Sequence, residues 1–426
     1  MASQVNPPRG MRDFLPVEKA RREHVLSVIR QTFRAHGFDE IETPVVEDSS
    51  RLHAGLGGDN EKLSYAVMKR DLKTEQLEQA AANGDYLALA DLGLRFDLTV
   101  PLARFYASHR GELPGVFRSI QIAPVWRAER PQKGRYRQFV QCDIDIIGDA
   151  TPLAEVELIT ATAAALEALG FTGSNACTIR INDRRILRRI VESLGIPAES
   201  YERALITIDK EDKIGVEGVV AELVEQGLGE PTGLTRVLQR LTTLTSGGWG
   251  LLDSPPEWLD VEAYRDLLAI RDAVGESVKL VFSPNLVRGM GYYTGTIFEI
   301  AHADLPYSLG GGGRYDGMIG RFLGSNVPAT GFSLGFERLV DLVELPEDSS
   351  ANAVALVYDA DVDPARLATL KTAVIASGVR ATLAQRTKNV TALLDQLAAS
   401  GYPRFAFVTA ATTSFESLEI RPIFAQ

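Results

Sequence analysis

Two apolar segments on either side of a charged turn constrain the fold of this chain more than any other feature. Ile120–Trp126 and Gln138–Ile147 are long apolar runs, and the eleven residues between them are charged and contain a glycine. Two such runs joined by a polar connection predict a β-hairpin with a long loop. An antiparallel pair of strands is therefore the first element of the predicted fold.

The hairpin loop, Arg127–Arg137, has a composition that suggests a binding site. It contains four arginines, one lysine and a single carboxylate. A solvated hairpin tip is the simpler interpretation of such a charge run. Arginine, however, makes paired contacts with phosphates and carboxylates, and Arg127 stands at the strand end, where its side chain is held firmly. We therefore interpret the loop as an anion-binding element.

Three further segments carry glycine and arginine together. Leu286–Glu299 combines glycines with one arginine and a pair of tyrosines, Gly310–Gly317 holds four consecutive glycines before an arginine, and Gly331–Arg338 ends on an arginine. Glycine lets the backbone approach a neighbour closely. The glycines match neither the P-loop nor the dinucleotide-binding fingerprint. Taken singly, each segment also fits an ordinary turn, a tight strand crossing or a surface helix.

Composition narrows the class of protein. The chain has 426 residues and a net charge of −11, which predicts two or three domains and disfavours non-specific nucleic-acid binding without excluding an RNA partner. Cys142 and Cys177 have no CxxC partner and the five histidines are scattered, so disulfide frameworks and zinc sites are not expected. No apolar run is long enough to span a membrane, and the N-terminal residues lack a signal core. A cytoplasmic protein is expected.

The sequence pattern changes along the chain. Ile41, Pro44, Val45 and Val46 predict an early strand. Residues 177–272 hold helical segments rich in arginine, leucine and glutamate, which we interpret as an inserted helical module without a chemical motif. The charge balance then changes near Pro346–Ala353. Beyond it lie short apolar segments with helical stretches between them, which predict a small α/β domain. These segments are Ala353–Tyr358, Val379–Ala384 and Phe405–Val408.

Taken together and in this order, the arginine-containing segments resemble the class II aminoacyl-tRNA synthetases, and within them the histidyl-tRNA synthetase family. Gly37–Pro44, Phe117–Gly148 and Gly331–Arg338 are similar to the three motifs of the class. Leu286–Glu299 and Gly312–Gly317 are similar to the two histidine-specific signatures, which the prolyl, threonyl and glycyl relatives lack. The resemblance covers almost the whole chain.

The resemblance implies an α+β catalytic domain with an antiparallel sheet, a helical insertion and a C-terminal α/β domain that looks like an anticodon-binding domain. The catalytic domain is expected at residues 1–176 and 273–346, the insertion at 177–272 and the C-terminal domain at 351–426. A homodimer formed through the catalytic domain is also implied, with Pro44 at its interface.

The implied reaction has two steps. ATP, with Mg²⁺ as its counter-ion, activates L-histidine to histidyl-adenylate, and the adenylate then acylates tRNA(His). The resemblance makes Arg127 the residue that bridges the substrate carboxylate and the α-phosphate. Arg288 reaches the α-phosphate from the other side, so these two are the implied catalytic residues. Arg135 is implied to hold the γ-phosphate, and Arg338 to clamp the nucleotide.

The resemblance assigns further ligand contacts. Glu129 is implied to meet the adenine amino group, and Phe139 to stack on the adenine ring. Asp97, Thr99 and Gln141 are implied to bind the α-ammonium group of histidine.

The same resemblance assigns the imidazole pocket and the RNA contact. Asp145 and Tyr293 are implied to read the two ring nitrogens. A site that hydrogen-bonds both nitrogens leaves buried groups unpaired when another side chain enters, so it discriminates without editing. The other residues implied by the resemblance are Tyr292 and Tyr315, which line the pocket, and Gln132 and Lys133, which lie where the family's loop meets the acceptor end of tRNA.

Three features depart from the usual family pattern. Gly291 stands where one signature has an acidic residue. Asp97 and Asp145 stand where many bacterial members have glutamate. Aspartate at both positions is a feature of the eukaryote-like branch. The C-terminal domain is short and ends at Ser417–Ile423 without the usual final Lys-Asp-Leu strand.

Two alternatives remain from the sequence. A non-catalytic paralogue, a histidine-sensing regulatory subunit of ATP phosphoribosyltransferase, keeps the fold but typically degrades the ATP-handling arginines and lacks the C-terminal domain. A stand-alone amino-acid-activating enzyme loads an acceptor other than tRNA. Arg127, Arg135, Arg288 and Arg338 are all present, which favours the synthetase.

Overall fold

The computed structural model divides the chain into two compact units. The first contains Val25–Leu342 and the N-terminal residues up to Arg12, and the second contains Asp13–His24 and the C-terminal residues from Val343. The residues that the structure describes are 5–53, 63–131, 134–244, 248–288, 291–343 and 352–423.

The first unit is built on one large sheet and one small sheet. In chain order its strands are β1 (Asp39–Glu40), β2 (Val46–Asp48), β3 (Tyr65–Met68), β4 (Ala90–Leu94), β5 (Phe117–Trp126), β6 (Gln138–Ile147), β7 (Thr178–Asp183), β8 (Leu280–Phe282), β9 (Thr296–Ala301), β10 (Gly310–Arg314) and β11 (Ala329–Leu334). The large sheet has the order β1-β5-β6-β11-β10-β9-β7-β8, and the small sheet has the order β2-β4-β3.

The large sheet is antiparallel except at its two edges. There β1 runs parallel to β5, and β7 runs parallel to β8. In the order of the sheet, the six strands β5, β6, β11, β10, β9 and β7 form five consecutive antiparallel pairs. The prediction of an α+β domain on an antiparallel sheet is confirmed.

The predicted hairpin forms the second and third strands of this sheet. Strands β5 and β6 pair over ten residues each, from Phe117 opposite Ile147 to Trp126 opposite Gln138. Successive side chains of a strand point to opposite faces. Cys142, Ile144 and Ile146 of β6 are fully buried, so one face of this strand belongs to the core and the other is left for the residues between them.

The strand that we expected around Ile41–Val46 is wrong in its extent. The chain pairs with β5 only over β1, and β2 begins at Val46. Pro44 lies between these two short strands. Proline lacks the N–H group that a strand needs for its ladder, and here it separates the strands of two different sheets.

The helices cover the sheet and build the insertion. In chain order they are α1 (Pro16–Ala35), which contains residues of both units, α2 (Ser49–Leu52), α3 (Thr74–Asn83), α4 (Thr99–His109), α5 (Leu153–Ala168), α6 (Arg184–Ser193), α7 (Tyr201–Ile208), α8 (Glu211–Glu225), α9 (Pro231–Leu244), α10 (Val261–Val274), α11 (Asp316–Leu323) and α12 (Phe336–Leu342). Helix α5 is rich in alanine and leucine and packs against β6 and β11.

The predicted helical insertion, residues 177–272, opens with a strand. Strand β7 pairs with β9 in the large sheet, and the helices α6 to α10 follow it. Leu238 and Val219 are among the apolar side chains that these helices bury. The segment therefore has its own packed interior and is attached to the sheet through β7.

Arg314 at the end of β10 forms a buried ion pair with Glu155 of α5. The Nε atom donates to Oε1 at 2.6 Å and Nη2 donates to Oε2 at 2.7 Å. Only 12% of the arginine and 2% of the glutamate side chain is exposed. We expect Arg314→Met to lower the free energy of unfolding by about 3–5 kcal/mol, because it leaves a buried carboxylate without its cation. Urea unfolding measures this loss.

The neighbouring pair of Arg118 and Glu157 is a matched control. It is also doubly hydrogen-bonded, at 2.6 Å and 2.7 Å, but 30% and 25% of its side chains are exposed. Arg118→Met is expected to cost about 1 kcal/mol or less because water screens this pair. Equal losses from the two variants would contradict the role of burial.

The second unit contains a small α/β domain. Its elements after α12 are β12 (Ala353–Tyr358), α13 (Pro364–Ala376), β13 (Arg380–Gln385), α14 (Val390–Ala399), β14 (Arg404–Val408) and β15 (Arg421–Pro422). The strand order is β13-β12-β14-β15, parallel except for β15. The alternation of strands and helices predicted from the sequence is confirmed. Contrary to the sequence analysis, the last described residues do include a short strand.

Both faces of the small sheet are covered by helices. Val354 and Leu356 of β12 pack with α13 residues such as Leu370, and Val357 packs with Leu397 of α14. Among the described helices, none combines the length and the apolar character needed to cross a membrane.

Candidate active site

One cavity gathers the site residues that the sequence analysis singled out. It has a volume of about 530 Å³ and lies in the first unit. Gln132 and Lys133 lie outside the described residues. The predicted residues that line the cavity are Asp97, Thr99, Arg127, Glu129, Arg135, Phe139, Gln141, Asp145, Arg288, Tyr292, Tyr293, Tyr315 and Arg338.

Strand β6 supplies the floor of the cavity. Phe139, Gln141, Asp143 and Asp145 occupy alternate positions and all line the cavity. Alternation places these four side chains on one face of the sheet. Cys142 and Ile144 alternate with the last three of these residues and are fully buried, so the strand contributes to both the core and the site.

Glycines on the neighbouring strands make room for the functional side chains. Gly331 of β11 lies opposite Asp145, and a Cβ atom at this position would lie 1.9 Å from the Asp145 Oδ1 atom. Gly311 of β10 lies under Arg288, where a Cβ atom would lie 2.7 Å from the guanidinium carbon. Both glycines are therefore required by the close approach of a site residue.

One end of the cavity is lined by a carboxylate and tyrosines. The Tyr315 hydroxyl donates to Asp145 Oδ1 at 2.6 Å. The rings of Tyr292 and Tyr293 lie 4.7 Å apart, and Tyr292 also makes an edge contact with Tyr315. Burial, with Asp143 nearby, raises the pKa of Asp145 well above its usual range. This end can donate and accept hydrogen bonds in a space lined by aromatic rings.

Asp97 lies beside this end, between β4 and α4. Its Oδ1 atom accepts from the Val100 backbone N–H at 3.1 Å, so the carboxylate is fixed at the helix start. Only 1% of Asp97 is exposed. The carboxyl groups of Asp97, Asp143 and Asp145 all line the cavity.

Two arginines from distant segments of the chain, Arg127 and Arg288, line the cavity. The Nε atom of Arg127 donates to the Phe96 carbonyl at 2.9 Å, and its guanidinium lies 5.1 Å from the centre of the Phe139 ring. Arg288 Nη1 donates to Glu299 Oε2 at 3.0 Å. Among the described residues each guanidinium is anchored by one of these hydrogen bonds, and its other N–H groups can bind an anionic ligand.

The far end of the cavity holds two more arginines. Arg135 contacts Glu129 at 3.4 Å, and Arg338 donates to the Ser308 carbonyl and lies over the Tyr307 ring at 4.8 Å. Burial and the proximity of Arg135 lower the pKa of Arg338. Two cations held close together form a site that an anion stabilises.

Three residues that contribute to the site were missed by the sequence analysis. Asp143 lines the cavity, and its alternation with Gln141 and Asp145 was a signal that could have found it. Glu299 anchors Arg288. Glu337, next to Arg338, accepts the Val140 backbone N–H at 3.1 Å and pairs with Arg12. No sequence pattern relates Glu299 or Glu337 to these partners.

Over the part of the chain that the structure describes, no group of three or more histidine, cysteine, aspartate or glutamate side chains has the arrangement of a metal site.

The large, mostly antiparallel sheet and the cavity lined by arginines, carboxylates and tyrosines fit the fold of a class II aminoacyl-tRNA synthetase. A family model described as Histidyl-tRNA synthetase matches residues 10–339. The chain therefore belongs to the histidyl-tRNA synthetase family, as the sequence analysis predicted.

Curated relatives extend this match to the whole chain. The chain is 59% identical to the Histidine–tRNA ligase of Leifsonia xyli subsp. xyli, and the match covers 99% of each protein. It is 43% identical to the Probable histidine–tRNA ligase of Tropheryma whipplei over 90% of this chain and 92% of that relative. It is 41% identical to the Histidine–tRNA ligase of Aeropyrum pernix over 79% and 73% of the two chains.

Solved structures show the same fold at low sequence identity. A histidyl-tRNA synthetase from Nostoc sp. is 23% identical with a TM-score of 0.74, over 99% of this chain and 95% of that one. An ATP phosphoribosyltransferase regulatory subunit/histidyl-tRNA synthetase from Bacillus halodurans is 21% identical with a TM-score of 0.74, over 97% and 100% of the chains.

Proposed function

We propose that this chain is a histidine–tRNA ligase, which activates L-histidine with ATP and transfers the histidyl group to tRNA(His). The observation that carries the proposal is the convergence of two kinds of side chain on one cavity. Arg127 and Arg288 are suited to a carboxylate and a phosphate, and the Asp145–Tyr315 pair is suited to an imidazole. Family membership supports the same reaction.

In the proposed first step, a carboxylate oxygen of histidine attacks the α-phosphorus of ATP. The bond from that phosphorus to the bridging oxygen breaks, and pyrophosphate leaves. Arg127 and Arg288 hold the attacking carboxylate and the α-phosphate together and stabilise the charge that spreads over the phosphate oxygens. Catalysis by positioning and charge stabilisation needs no covalent enzyme intermediate.

ATP is proposed to extend from Arg127 and Arg288 to the end of the cavity that holds Arg135 and Arg338. Phe139 stacks on the adenine ring and Glu129 accepts from its amino group. Arg135 and Arg338 bind the outer phosphates, which relieves the repulsion between their own charges. Mg²⁺ enters as part of the MgATP substrate, as is usual for nucleotides.

Histidine is proposed to lie at the carboxylate and tyrosine end. Asp97, Thr99 and Gln141 bind its α-ammonium group, and Asp145 and Tyr293 bind its two ring nitrogens. The ring is enclosed by Tyr292 and Tyr315. Aromatic walls with a few fixed polar groups are typical of small-molecule sites.

Tyr293→Phe is expected to weaken histidine binding about tenfold, because it removes one hydroxyl partner of the imidazole and leaves a ring nitrogen unpaired. Isothermal titration calorimetry with histidine measures the change. Tyr106→Phe is a matched control, since Tyr106 packs in the same core cluster as Tyr293 but does not line the cavity. Unchanged affinity in Tyr293→Phe would remove this residue from the imidazole contact.

The remaining proposals concern tRNA and assembly. Gln132 and Lys133 are proposed to contact the acceptor end of tRNA, and residues 351–426 to bind the anticodon.

A homodimer through the catalytic domain is supported by Val45 and Val46, which are 42% and 37% exposed beside Pro44, because exposed apolar residues are typical of interfaces. We place the enzyme in the cytoplasm and retain the predicted division into catalytic domain, insertion and C-terminal domain.

Histidine-dependent exchange of pyrophosphate into ATP, followed by charging of tRNA(His), tests the proposed function. Exchange and charging are both expected. Loss of exchange in the wild-type chain would favour a regulatory role, such as the one named for the Bacillus halodurans protein. Exchange without charging would favour an enzyme that loads another acceptor.

A further inference from the structure

Asp143 is a buried carboxylate in the cavity to which the proposed reaction gives no role. It lies between Gln141 and Asp145 on the same face of β6, and only 4% of its surface is exposed. Its neighbour across the sheet on β11 is Ser333. A buried carboxylate costs free energy unless it serves a partner, so its contacts show what it does.

The contacts of Asp143 converge on one group, the side-chain amide of Gln141. The Gln141 Nε2 atom donates to Asp143 Oδ2 at 3.2 Å and lies 3.4 Å from Oδ1. It also donates to the Ser333 hydroxyl oxygen at 3.2 Å, and Ser333 lies opposite Asp143 on β11. The amide nitrogen is therefore held on the side of these two residues.

The other half of the same amide is left for a ligand. The Gln141 Oε1 atom is buried and has no hydrogen-bond partner among the described residues, although Gln141 lines the cavity. A buried acceptor without a partner is costly. An ammonium group of the substrate supplies the missing donor.

The orientation of this amide depends on what Asp143 can offer. An ionised carboxylate only accepts hydrogen bonds, so it selects the NH₂ side of the amide. A protonated carboxyl group also donates, and it can pair with the amide oxygen instead. The amide then turns its NH₂ group toward the cavity, where it repels an ammonium group.

We propose that Asp143 is a positioning residue for the α-ammonium group of the substrate, and that its ionised form fixes the Gln141 amide with its oxygen available to that group. The proposal rests on the proposed function, because it concerns how the same site binds histidine. Asp143 acts through Gln141 and does not itself touch the substrate.

The charges that surround Asp143 make its ionisation sensitive to pH. Burial raises the pKa of Asp143 to about 7; the Ser333 and Gln141 hydrogen bonds and the Arg127 cation lower it, and the Asp97 charge raises it. Asp145, on the same strand, is a second carboxyl group close enough for its pKa to be raised by the charge of Asp143. The other groups facing it are Gln121, its neighbour on β5, and Tyr293 from the loop after β8.

The sign of the pH effect follows from these contacts. Below pH 7 Asp143 is largely protonated in the empty site, and binding of the ammonium group requires it to lose the proton. The KM for histidine is therefore expected to fall by about tenfold between about pH 6 and about pH 8, beyond the change caused by the titration of the substrate. At higher pH this contribution is constant.

The test is Asp143→Asn, which keeps the size of the side chain and removes its charge. Because asparagine both donates and accepts, it no longer selects one orientation of the Gln141 amide. The KM for histidine in pyrophosphate exchange is expected to rise about tenfold at about pH 8, with the KM for ATP and kcat nearly unchanged. The pH dependence assigned to Asp143 is expected to disappear.

Three further variants test the proposal independently. In a Gln141→Ala background, Asp143→Asn is expected to change the KM for histidine by no more than about twofold, because residues that act as one unit are not additive. Ser333→Ala is expected to raise it by less than Asp143→Asn. Ile144→Val, buried on the opposite face of the same strand, controls for lost stability and is expected to leave the KM for histidine unchanged.

The outcomes separate this inference from the proposed function. Absence of exchange in the wild-type chain overturns the proposed function and the inference with it. Wild-type exchange with an unchanged KM for histidine in Asp143→Asn overturns the inference alone. A full effect of Asp143→Asn in the Gln141→Ala background, or an equal rise in the KM for ATP, also overturns it, since Asp143 then acts directly or only through stability.

Discussion

Replacing Arg288 by alanine is expected to lower histidine-dependent pyrophosphate exchange by about a thousandfold or more, while histidine binding changes by less than about tenfold. The reason is that charge on the α-phosphate develops mainly during the attack by the carboxylate. A cation that stabilises this charge contributes more to the transition state than to the bound substrates. Exchange rates at saturating histidine and calorimetry of histidine binding measure the two effects separately.

The environment of Arg288 indicates the controls. Its partner Glu299 loses a cation in the variant, so Arg288→Ala with Glu299→Gln distinguishes loss of the guanidinium from the effect of a bare carboxylate. Arg265→Ala removes an arginine from an exposed pair with Glu262 and is expected to leave exchange unchanged. Parallel losses of histidine binding and exchange in Arg288→Ala would show that the residue binds the ground state.

Gly331→Ala is expected to raise the KM for histidine by about a hundredfold or more without a comparable change in ATP binding. A Cβ atom at Gly331 would overlap the Asp145 carboxylate, and this overlap forces Asp145 away from Tyr315 and from the imidazole. Misplacing one group of a preorganised site by about 1 Å can cost two orders of magnitude. Exchange kinetics with each substrate varied in turn measures this effect.

A double variant separates crowding from unfolding. Gly331→Ala with Asp145→Ala removes the overlapping carboxylate, so stability in urea is expected to recover while the KM for histidine stays high. Gly233→Ala in α9 has no atom within 4 Å of the added methyl group and controls for the glycine substitution itself. Normal histidine kinetics in Gly331→Ala would contradict the steric role of this glycine.

The sequence predicted those strands and helices in which one pattern of apolar and polar residues continues over many positions. The hairpin β5–β6 was predicted because both strands are apolar and the loop between them is charged. The strand around Ile41–Val46 was predicted too long, because the pairing partners of Ile41, Val45 and Val46 on either side of Pro44 are not visible in the sequence. Strand β7 was absorbed into the helical insertion, although Thr178–Asp183 alternates in the way that strands do.

Motif resemblance predicted the candidate site better than composition did. The described residues assigned by resemblance line one cavity, although they come from segments as distant as Asp97 and Arg338. Their roles stay predictions. Asp143 was missed because no motif names it, and the fit of Gly331 to Asp145 depends on a contact between strands that adjoin only in the folded sheet.

The alternation along β6 limits how this strand can change its length. Phe139, Gln141, Asp143 and Asp145 line the cavity, and Cys142 and Ile144 between them are buried in the core. Deleting one residue inside the strand would turn every later side chain to the opposite face. The carboxylates would then enter the hydrophobic core of the protein, and the isoleucines would enter the cavity. An insertion or deletion inside β6 is therefore expected to disrupt the core and the cavity together, whereas a substitution changes only one of them.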